Sequence, residues 1–474
     1  MKYNSPKNIR PAVGSQNRSI RFSLLIISLI LTLSFTVFAS TFVDAKTEVK
    51  SLPFYKEEDF VAESARTVAE MTAEEKERDY EAFWDIIENG YPFAGLLLAD
   101  GVDFEGLKEA YYDRVYELYD NISWENFFAE IVDVLLAGYG DLGHLSVMEQ
   151  GSRLLNSDFQ SYCYYLAEYP DDPWLDMYQD VFTNPHVHGF YQLEEEEREP
   201  GGPPPFLDMP DNLHIEYNAA ADYAYVKIDS FLNQNPEDAD RLEEFFMEAE
   251  AEGIQNVILD IRSNGGGYND YWLMNIVSPN IQKVLEVTNY GLYHASDWTK
   301  PSIDYWGGGN TYEEELEAYG SEDEYPTLIF SWHESEDDTL PEMPALDKKA
   351  IKDLTQVFEE HIRIAPCFDE PLFSGKFWLL SDDLSYSASE YFISFAKRTA
   401  FASVVGEESA GDGSCVVTLY NALPESGLLI RYNAIYGLNS DGSNSELFAS
   451  KPDYEIAPGE DAFYKTLELI AAEK

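Results

Sequence analysis

Two short apolar runs, each followed by a sharp turn and a helical pattern, constrain the fold of this chain more than any other feature. Residues 256–261 (NVILDI) and 376–381 (KFWLLS) each read as a buried strand, because apolar side chains fill most of their positions. The first run leads into three glycines at 265–267, and the second into a serine-rich turn at 385–389. Strands that alternate with helices in this way predict a layered α/β core.

The flanking patterns extend that core over residues 212–474. They predict a hairpin with its tip at 219–222, amphipathic helices at 236–251 and 387–398, and a further strand at 402–405. Residues 305–345 are polar, acidic and rich in glycine, so we expect an insertion there.

The region before the core is predicted to be a separate helical bundle domain over residues 55–150. Apolar residues recur there at helical spacing, and Ser123 reads as the N-cap of the third helix. Residues 151–211 are less regular and include an acidic run at 194–199 followed by PGGPPP. A run of acidic residues followed by several prolines indicates a linker or an irregular insertion.

The first 45 residues have the pattern of an export signal. Five basic residues and no acidic residue precede the apolar run 24–39, and small residues offer cleavage sites after Ala39 and Ala45. The alternative is an uncleaved membrane anchor, although 16 apolar residues are short for a span of about 20. Both readings place the body of the protein outside the cytoplasm, with membrane attachment only through this segment.

Charge and cysteine content exclude several classes of function. The net charge of −57 disfavours binding to nucleic acid or to anionic lipid, which require clustered basic residues. Cys163, Cys367 and Cys415 are too widely spaced for a zinc site or a disulfide framework. His186 and His188 lack a spaced third ligand. We therefore expect neither a metal nor a cofactor.

The two turns after the buried strands could hold a catalytic centre. Glycines at 266 and 267 allow backbone N–H groups to converge, as an oxyanion hole requires, although a tight turn alone would explain them equally well. Ser387 begins a helix, where the dipole favours a developing anion, although it could be only an N-cap. His144 follows a glycine-containing turn and could serve as its base, and Glu446 is a further possible partner.

Together these residues resemble the C-terminal processing peptidases, a family that includes the tricorn core peptidase. Three ordered elements carry the resemblance: DxRxNxGG at 260–267, SASE at 387–390, and part of ENxGxxPD at Glu446, Pro452 and Asp453. The helical region closing on Asp141 and His144 is similar to the N-terminal domain of the tricorn-like branch. The resemblance implies a layered ββα core of the ClpP/crotonase type and a peptide or protein substrate.

The resemblance also separates two catalytic arrangements. The dyad branch uses a lysine where this chain has Asp412, and an aspartate cannot replace a neutral lysine as base. The sequence therefore gives Asp412 no catalytic role, and Asp412→Ala is expected to leave activity within about tenfold. The tricorn-like branch uses Ser, His, a second Ser and Glu, which Ser387, His144 and Glu446 match in part. Gly143 occupies the second serine's position, and Ser146 is the nearest substitute.

The sequence thus predicts an exported serine peptidase without a PDZ module. Ser387 would be the nucleophile, with Gly266, Gly267 and Ala388 supplying oxyanion N–H groups and Glu446 orienting the base. The alternative is a non-catalytic ligand- or peptide-binding protein on the same fold. An enzyme with paired carboxylates has little support, because 88 acidic residues make chance pairs common.

We expect export to remove the residues up to Ala39 or Ala45, because small residues precede both positions. Mass spectrometry of the exported chain measures its N-terminus directly. An intact segment 1–23 on the exported protein would instead indicate a membrane anchor.

Overall fold

The structure is a computed structural model that describes residues 67–140, 142–170, 172–193, 212–232, 236–307, 312, 314, 316, 326–335 and 340–473. All of them lie in one compact unit, Lys46–Lys474. The predicted export segment, the run 194–205 and Asp141 fall outside the described residues. Within the ranges given above, no helix combines the length and the hydrophobicity needed to cross a membrane.

The N-terminal region is helical, as the sequence predicts. It contains α1 (Ala73–Asn89), α2 (Ala94–Ala99), α3 (Phe104–Tyr112) and α4 (Asn121–Leu135), followed by the two-residue strand β1 (Ser146–Val147). The predicted N-cap of the third long helix is wrong: Asp120 caps α4, and Ser123 lies one turn inside it. The Asp120 carboxylate accepts from the Ser123 N–H, and Ser123 Oγ accepts from the Asp120 N–H, so the two side chains form a capping box.

The next segment is more regular than the sequence indicates. Residues 153–191, expected to be an irregular linker, form α5 (Arg153–Glu168), α6 (Pro173–Phe182) and α7 (Pro185–Tyr191). Asp172 and Asn184 cap the last two helices, and a proline opens each of them. Buried aromatic rings hold these short helices together, with Phe159 and Phe182 centroids 5.6 Å apart.

A six-stranded sheet forms the centre of the core. Its strands are β2 (Leu213–Asn218), β3 (Tyr223–Ile228), β4 (Asn256–Asp260), β8 (Lys376–Ser381), β9 (Ala402–Gly406) and β13 (Tyr454–Glu455), in the spatial order β13-β9-β8-β4-β3-β2. The β2–β3 hairpin is antiparallel and all the other pairs are parallel. Three helices connect or follow these strands in sequence: α8 (Pro236–Ala251) between β3 and β4, α11 (Ala388–Thr399) between β8 and β9, and α12 (Ala462–Ala472) after β13. The predicted strands and helices of this sheet are confirmed.

Two further sheets complete the described part of the core. One has the order β12-β5-β7-β6, formed by β5 (Leu285–Tyr293), β6 (Leu328–Glu334), β7 (Gln356–Ile364) and β12 (Tyr436–Leu438); the short helices α9 (Asn269–Trp272) and α10 (Lys300–Gly307) flank β5 in sequence. Strand β6 lies inside the predicted insertion 305–345, so part of that segment belongs to the core. The other sheet has the order β1-β11-β10, with β10 (Thr418–Ala422) and β11 (Leu429–Asn433).

The N-terminal region is attached to the turn between β10 and β11. The Asp79 carboxylate accepts the backbone N–H groups of Glu425 and Ser426 at 2.7 and 2.9 Å. Trp124 Nε1 donates to Ser426 Oγ at 3.1 Å. Strand β1 pairs with β11, with Ser146 opposite Arg431. The segment that follows His144 is therefore part of a sheet of the core.

We expect Asp79→Ala to lower the free energy of unfolding by about 2–3 kcal/mol, because two N–H groups in a buried turn lose their acceptor. Urea unfolding at pH 8 measures the change. Glu81→Ala is the matched control: Glu81 lies on the same helix but is exposed, so its replacement should cost under about 0.5 kcal/mol. Equal effects of the two substitutions would contradict this account of the attachment.

Candidate active site

Ser387 is held in a strained backbone conformation immediately before α11. Its φ and ψ are 55° and −120°, a region that non-glycine residues rarely occupy. Two hydrogen bonds fix it: the Ser387 N–H donates to the Gly411 carbonyl at 3.0 Å, and the Tyr391 N–H donates to the Ser387 carbonyl at 2.9 Å. Strain maintained by surrounding hydrogen bonds at a helix N-terminus is typical of a positioned nucleophile.

The glycine turn lies directly against the Ser387 turn, as the sequence predicts. A Cβ on Gly266 would lie 2.8 Å from the Ala388 nitrogen and 3.0 Å from Ser387 Cβ. The φ of Gly266 is +97°, which also disfavours any side chain. A Cβ on Gly267 would lie 2.3 Å from the Phe231 carbonyl carbon. Both glycines are therefore required by close backbone approach.

The N–H groups of this turn are not equivalent. The Gly266 N–H donates to Asn264 Oδ1 at 2.9 Å, so the predicted use of Gly266 as an oxyanion donor is not supported. The N–H groups of Gly267 and Ala388 have no partner among the described residues. Asn264 is buried and also donates to the Ile228 carbonyl at 3.1 Å, so this asparagine fixes the turn.

The charged residues of the first motif have a structural role. Arg262 binds the buried Asp260 carboxylate with Nη2 at 2.6 Å and Nε at 2.9 Å, a two-point contact. Arg262 Nη1 also reaches Asp461, the N-cap of α12, at 3.1 Å. These contacts tie the start of the glycine turn to the C-terminal helix.

His144 lies next to Tyr386, the residue that precedes Ser387. Its ring centroid is 5.2 Å from that of Tyr386, and no hydrogen bond joins the ring to Ser387 Oγ within the described part of the chain. Such bonds are often long until substrate binds. Ser146, the expected fourth catalytic residue, donates from Oγ to the His144 carbonyl at 3.3 Å. Ser146 therefore contacts the backbone of His144, and among the described residues no hydrogen bond joins it to the ring.

Gly143, the residue before His144, can only be small. A Cβ on Gly143 would lie 2.5 Å from Phe93 Cε2 and 3.0 Å from Tyr91 Cε2. A serine at this position would collide with both rings. This packing explains in physical terms why the chain departs here from the pattern of the tricorn-like branch.

Asp412 lies directly against His144. Its Oδ2 lies 2.5 Å from His144 Nδ1, and its side chain is 1% exposed. Burial acts to raise the pKa of Asp412, but the adjacent His144 and hydrogen bonds, including one from Asn433, outweigh it and leave the pKa lowered. Asp412, expected from sequence to stand outside the site, therefore lies in contact with His144. The sequence feature that could have pointed to this contact is that Asp412 stands where the dyad branch has a lysine.

Glu446 contacts Asp412, and among the described residues no contact joins it to the His144 ring, its expected partner. Its other neighbours are the Gly143 backbone N–H and the Tyr386 hydroxyl, which donates to Oε1 at 3.2 Å. Burial and the repulsion of Asp412 raise the pKa of Glu446 well above its usual range. The structure thus collects Ser387, His144, Asp412 and Glu446 around Tyr386.

Comparison with protein families agrees with these motifs. Residues 222–456, which contain the glycine turn, Ser387, Asp412 and Glu446, match the family model described as peptidase family S41. Residues 222–456 are therefore a peptidase family S41 region. The chain is a serine-type peptidase, as predicted. No curated protein matches the sequence.

Several solved structures resemble the peptidase. A protein from Parabacteroides merdae, named as a candidate peptidase, is 17% identical over 84% of this chain and 98% of its own, with a TM-score of 0.49. A lipoprotein from Streptococcus agalactiae is 11% identical over 84% and 97%, with a TM-score of 0.41. The photosystem II D1 C-terminal processing protease is 14% identical over 82% and 94%, with a TM-score of 0.39. These modest likenesses add nothing to the family assignment.

We expect Gly266→Ala to reduce kcat/KM by about 10²-fold or more, because its Cβ would displace the Ala388 nitrogen and the Ser387 turn. Steady-state hydrolysis of a peptide that the peptidase cleaves measures the effect, and circular dichroism checks the fold. Gly265→Ala is the matched control, since a Cβ there meets nothing within 4 Å. A Gly266→Ala variant as active as the control would contradict the assigned contact between the turns.

Proposed function

We propose that the peptidase is exported and cleaves peptide bonds with Ser387 as nucleophile, His144 as its base and Asp412 as the partner of the base. One observation carries the proposal: His144 Nδ1 lies 2.5 Å from the buried Asp412 carboxylate, and the same ring packs on Tyr386, next to Ser387. Export rests on the basic and apolar pattern of residues 1–45.

Each group has a defined role in this mechanism. Ser387 Oγ attacks the peptide carbonyl while His144 Nε2 removes its proton, and the imidazolium then protonates the leaving amine. Asp412 selects the ring tautomer with the proton on Nδ1 and stabilises the imidazolium. The Gly267 and Ala388 N–H groups stabilise the oxyanion, and a water activated by His144 hydrolyses the acyl-enzyme.

The finer fold proposal is a layered ββα core of the ClpP/crotonase type. Helix α11, which begins after Ser387, contacts both β9 of the six-stranded sheet and β5 of the four-stranded sheet. A helix that lies against two sheets supports this layering, because its N-terminus is then fixed by both of them.

The second candidate function is a non-catalytic binding protein on the same fold. A protein that only binds peptides has no need of a histidine held against a buried aspartate beside a strained serine. Labelling by a fluorophosphonate, which reacts with an activated serine hydroxyl, distinguishes the two functions.

We expect Ser387→Ala and His144→Ala each to lower kcat by about 10⁴-fold or more, and the double variant to be little worse, because nucleophile and base act as one unit. Peptide hydrolysis and fluorophosphonate labelling measure the loss. Ser389→Ala is the control: Ser389 is two residues away, buried, and its Oγ has no partner among the described residues. Full activity of Ser387→Ala would refute the proposed function.

We expect Asp412→Asn to lower kcat by about 10⁴-fold, because an amide in this place favours the wrong tautomer of His144. This outcome is the opposite of the expectation drawn from sequence for Asp412. The same hydrolysis assay measures it, and activity within about tenfold of the parent would show that Asp412 is not the partner of the base.

A further inference from the structure

Two buried carboxyl groups share one tyrosine hydroxyl beside the base. Tyr386 Oη lies 3.2 Å from Glu446 Oε1 and 3.4 Å from Asp412 Oδ2. The hydroxyl has one proton, so it cannot donate fully to both groups. Asp412 also has the His144 ring at 2.5 Å and Asn433 at 3.4 Å. The neighbouring polar groups therefore stabilise the negative charge of Asp412 better than that of Glu446.

Glu446 has one oxygen without compensation, although the Tyr386 hydroxyl and the Gly143 N–H face its carboxyl group. Its Oε2 is buried, and no donor reaches it within the described part of the chain. Among those residues no lysine or arginine pairs with either carboxyl, and His144 supplies at most one positive charge. A buried carboxylate oxygen without a donor is strongly unfavourable, whereas a protonated oxygen would itself be a donor with Asp412 as its acceptor.

We infer that Glu446 is a neutral carboxylic acid that donates a hydrogen bond to Asp412 and so holds the Asp412 carboxylate against His144. This inference rests on the proposed function, because it gives Glu446 a positioning role for the catalytic Asp412. Burial and the repulsion of Asp412, which both raise the pKa of Glu446, agree with it. The role differs from the one expected from sequence, in which an ionised Glu446 would orient the imidazolium directly.

The inference separates two amide substitutions that look alike. A glutamine at 446 keeps a donor toward Asp412 and a carbonyl oxygen toward the Tyr386 hydroxyl and the Gly143 N–H, so it reproduces the neutral acid. An asparagine at 412 removes the negative charge that His144 requires. Glu446→Gln should therefore be tolerated where Asp412→Asn is not.

The kinetic test compares kcat and KM of Glu446→Gln, Glu446→Ala, Asp412→Asn and Ser387→Ala in the full chain. We expect Glu446→Gln to stay within about threefold of the parent, and Glu446→Ala to lose about tenfold or more in kcat. The pH profile of Glu446→Gln should match that of the parent between about pH 5 and 9, because Glu446 does not titrate there. The other titratable groups facing it are Asp412, His144, Tyr386 and Tyr91.

Infrared spectroscopy gives a readout independent of activity. Burial raises the pKa of Glu360 and of Glu390 to about 7, so at pH 9 both are largely ionised. The carbonyl band of a protonated carboxyl that persists at pH 9 should then come from Glu446, and Glu446→Gln should abolish it. This measurement does not depend on a substrate or on the stability of Glu446→Ala.

The outcomes separate the inference from the function beneath it. Loss of about 10³-fold or more in a folded Glu446→Gln variant, or absence of the infrared band, would show that Glu446 is ionised and would overturn the inference. The proposed function would still stand if Ser387→Ala and Asp412→Asn were inactive. Full activity of Ser387→Ala would instead overturn the proposed function itself.

Discussion

The active site depends on the attachment of the N-terminal helices to the turn between β10 and β11. The proposed nucleophile, Ser387, and the proposed base, His144, come from distant parts of the chain, and the helices alone give His144 no fixed place relative to Ser387. Asp79 and Trp124 bind that turn, and β1 then adds the segment after His144 to a sheet of the core. Because strand pairing fixes register, it also fixes which side chain faces the site.

The parts of the fold that followed from sequence are those in which local pattern and burial agree. Strand β4 is buried at every position, and α8 has the predicted limits Pro236–Ala251. The segment 153–191 contains aromatic-rich, helix-like stretches, but the limits of its helices do not follow from the sequence, because its aromatic residues pack on distant partners, such as Phe182 on Tyr420. Strand β6 was missed because a polar, glycine-rich setting hides a short strand whose pairing with β7 is decided by tertiary contacts.

The same distinction holds within the site. Ser387, Gly267 and Ala388 lie in turns with a recognisable local pattern, and their backbone placement in the structure follows it. The partnership of Asp412 with His144 has no local pattern, because it depends on where two loops cross. Gly411 allows that crossing, because a Cβ at this position would lie 2.6 Å from the Glu446 carbonyl oxygen. Only a glycine lets the loop that carries Asp412 approach the loop that carries Glu446 so closely.

The charge of the site must also suit the reaction. In the proposed mechanism, attack by Ser387 would create a negative oxyanion, and every buried anion nearby would oppose it in a medium of low dielectric constant. Asp412 would be tolerated because His144 would become positive in the same step, so that the pair would stay close to neutral. An ionised Glu446 would add a second buried anion with no cation to offset it, in a chain whose net charge is already −57. A neutral Glu446 keeps the geometry of a carboxyl group at this position without that opposing charge.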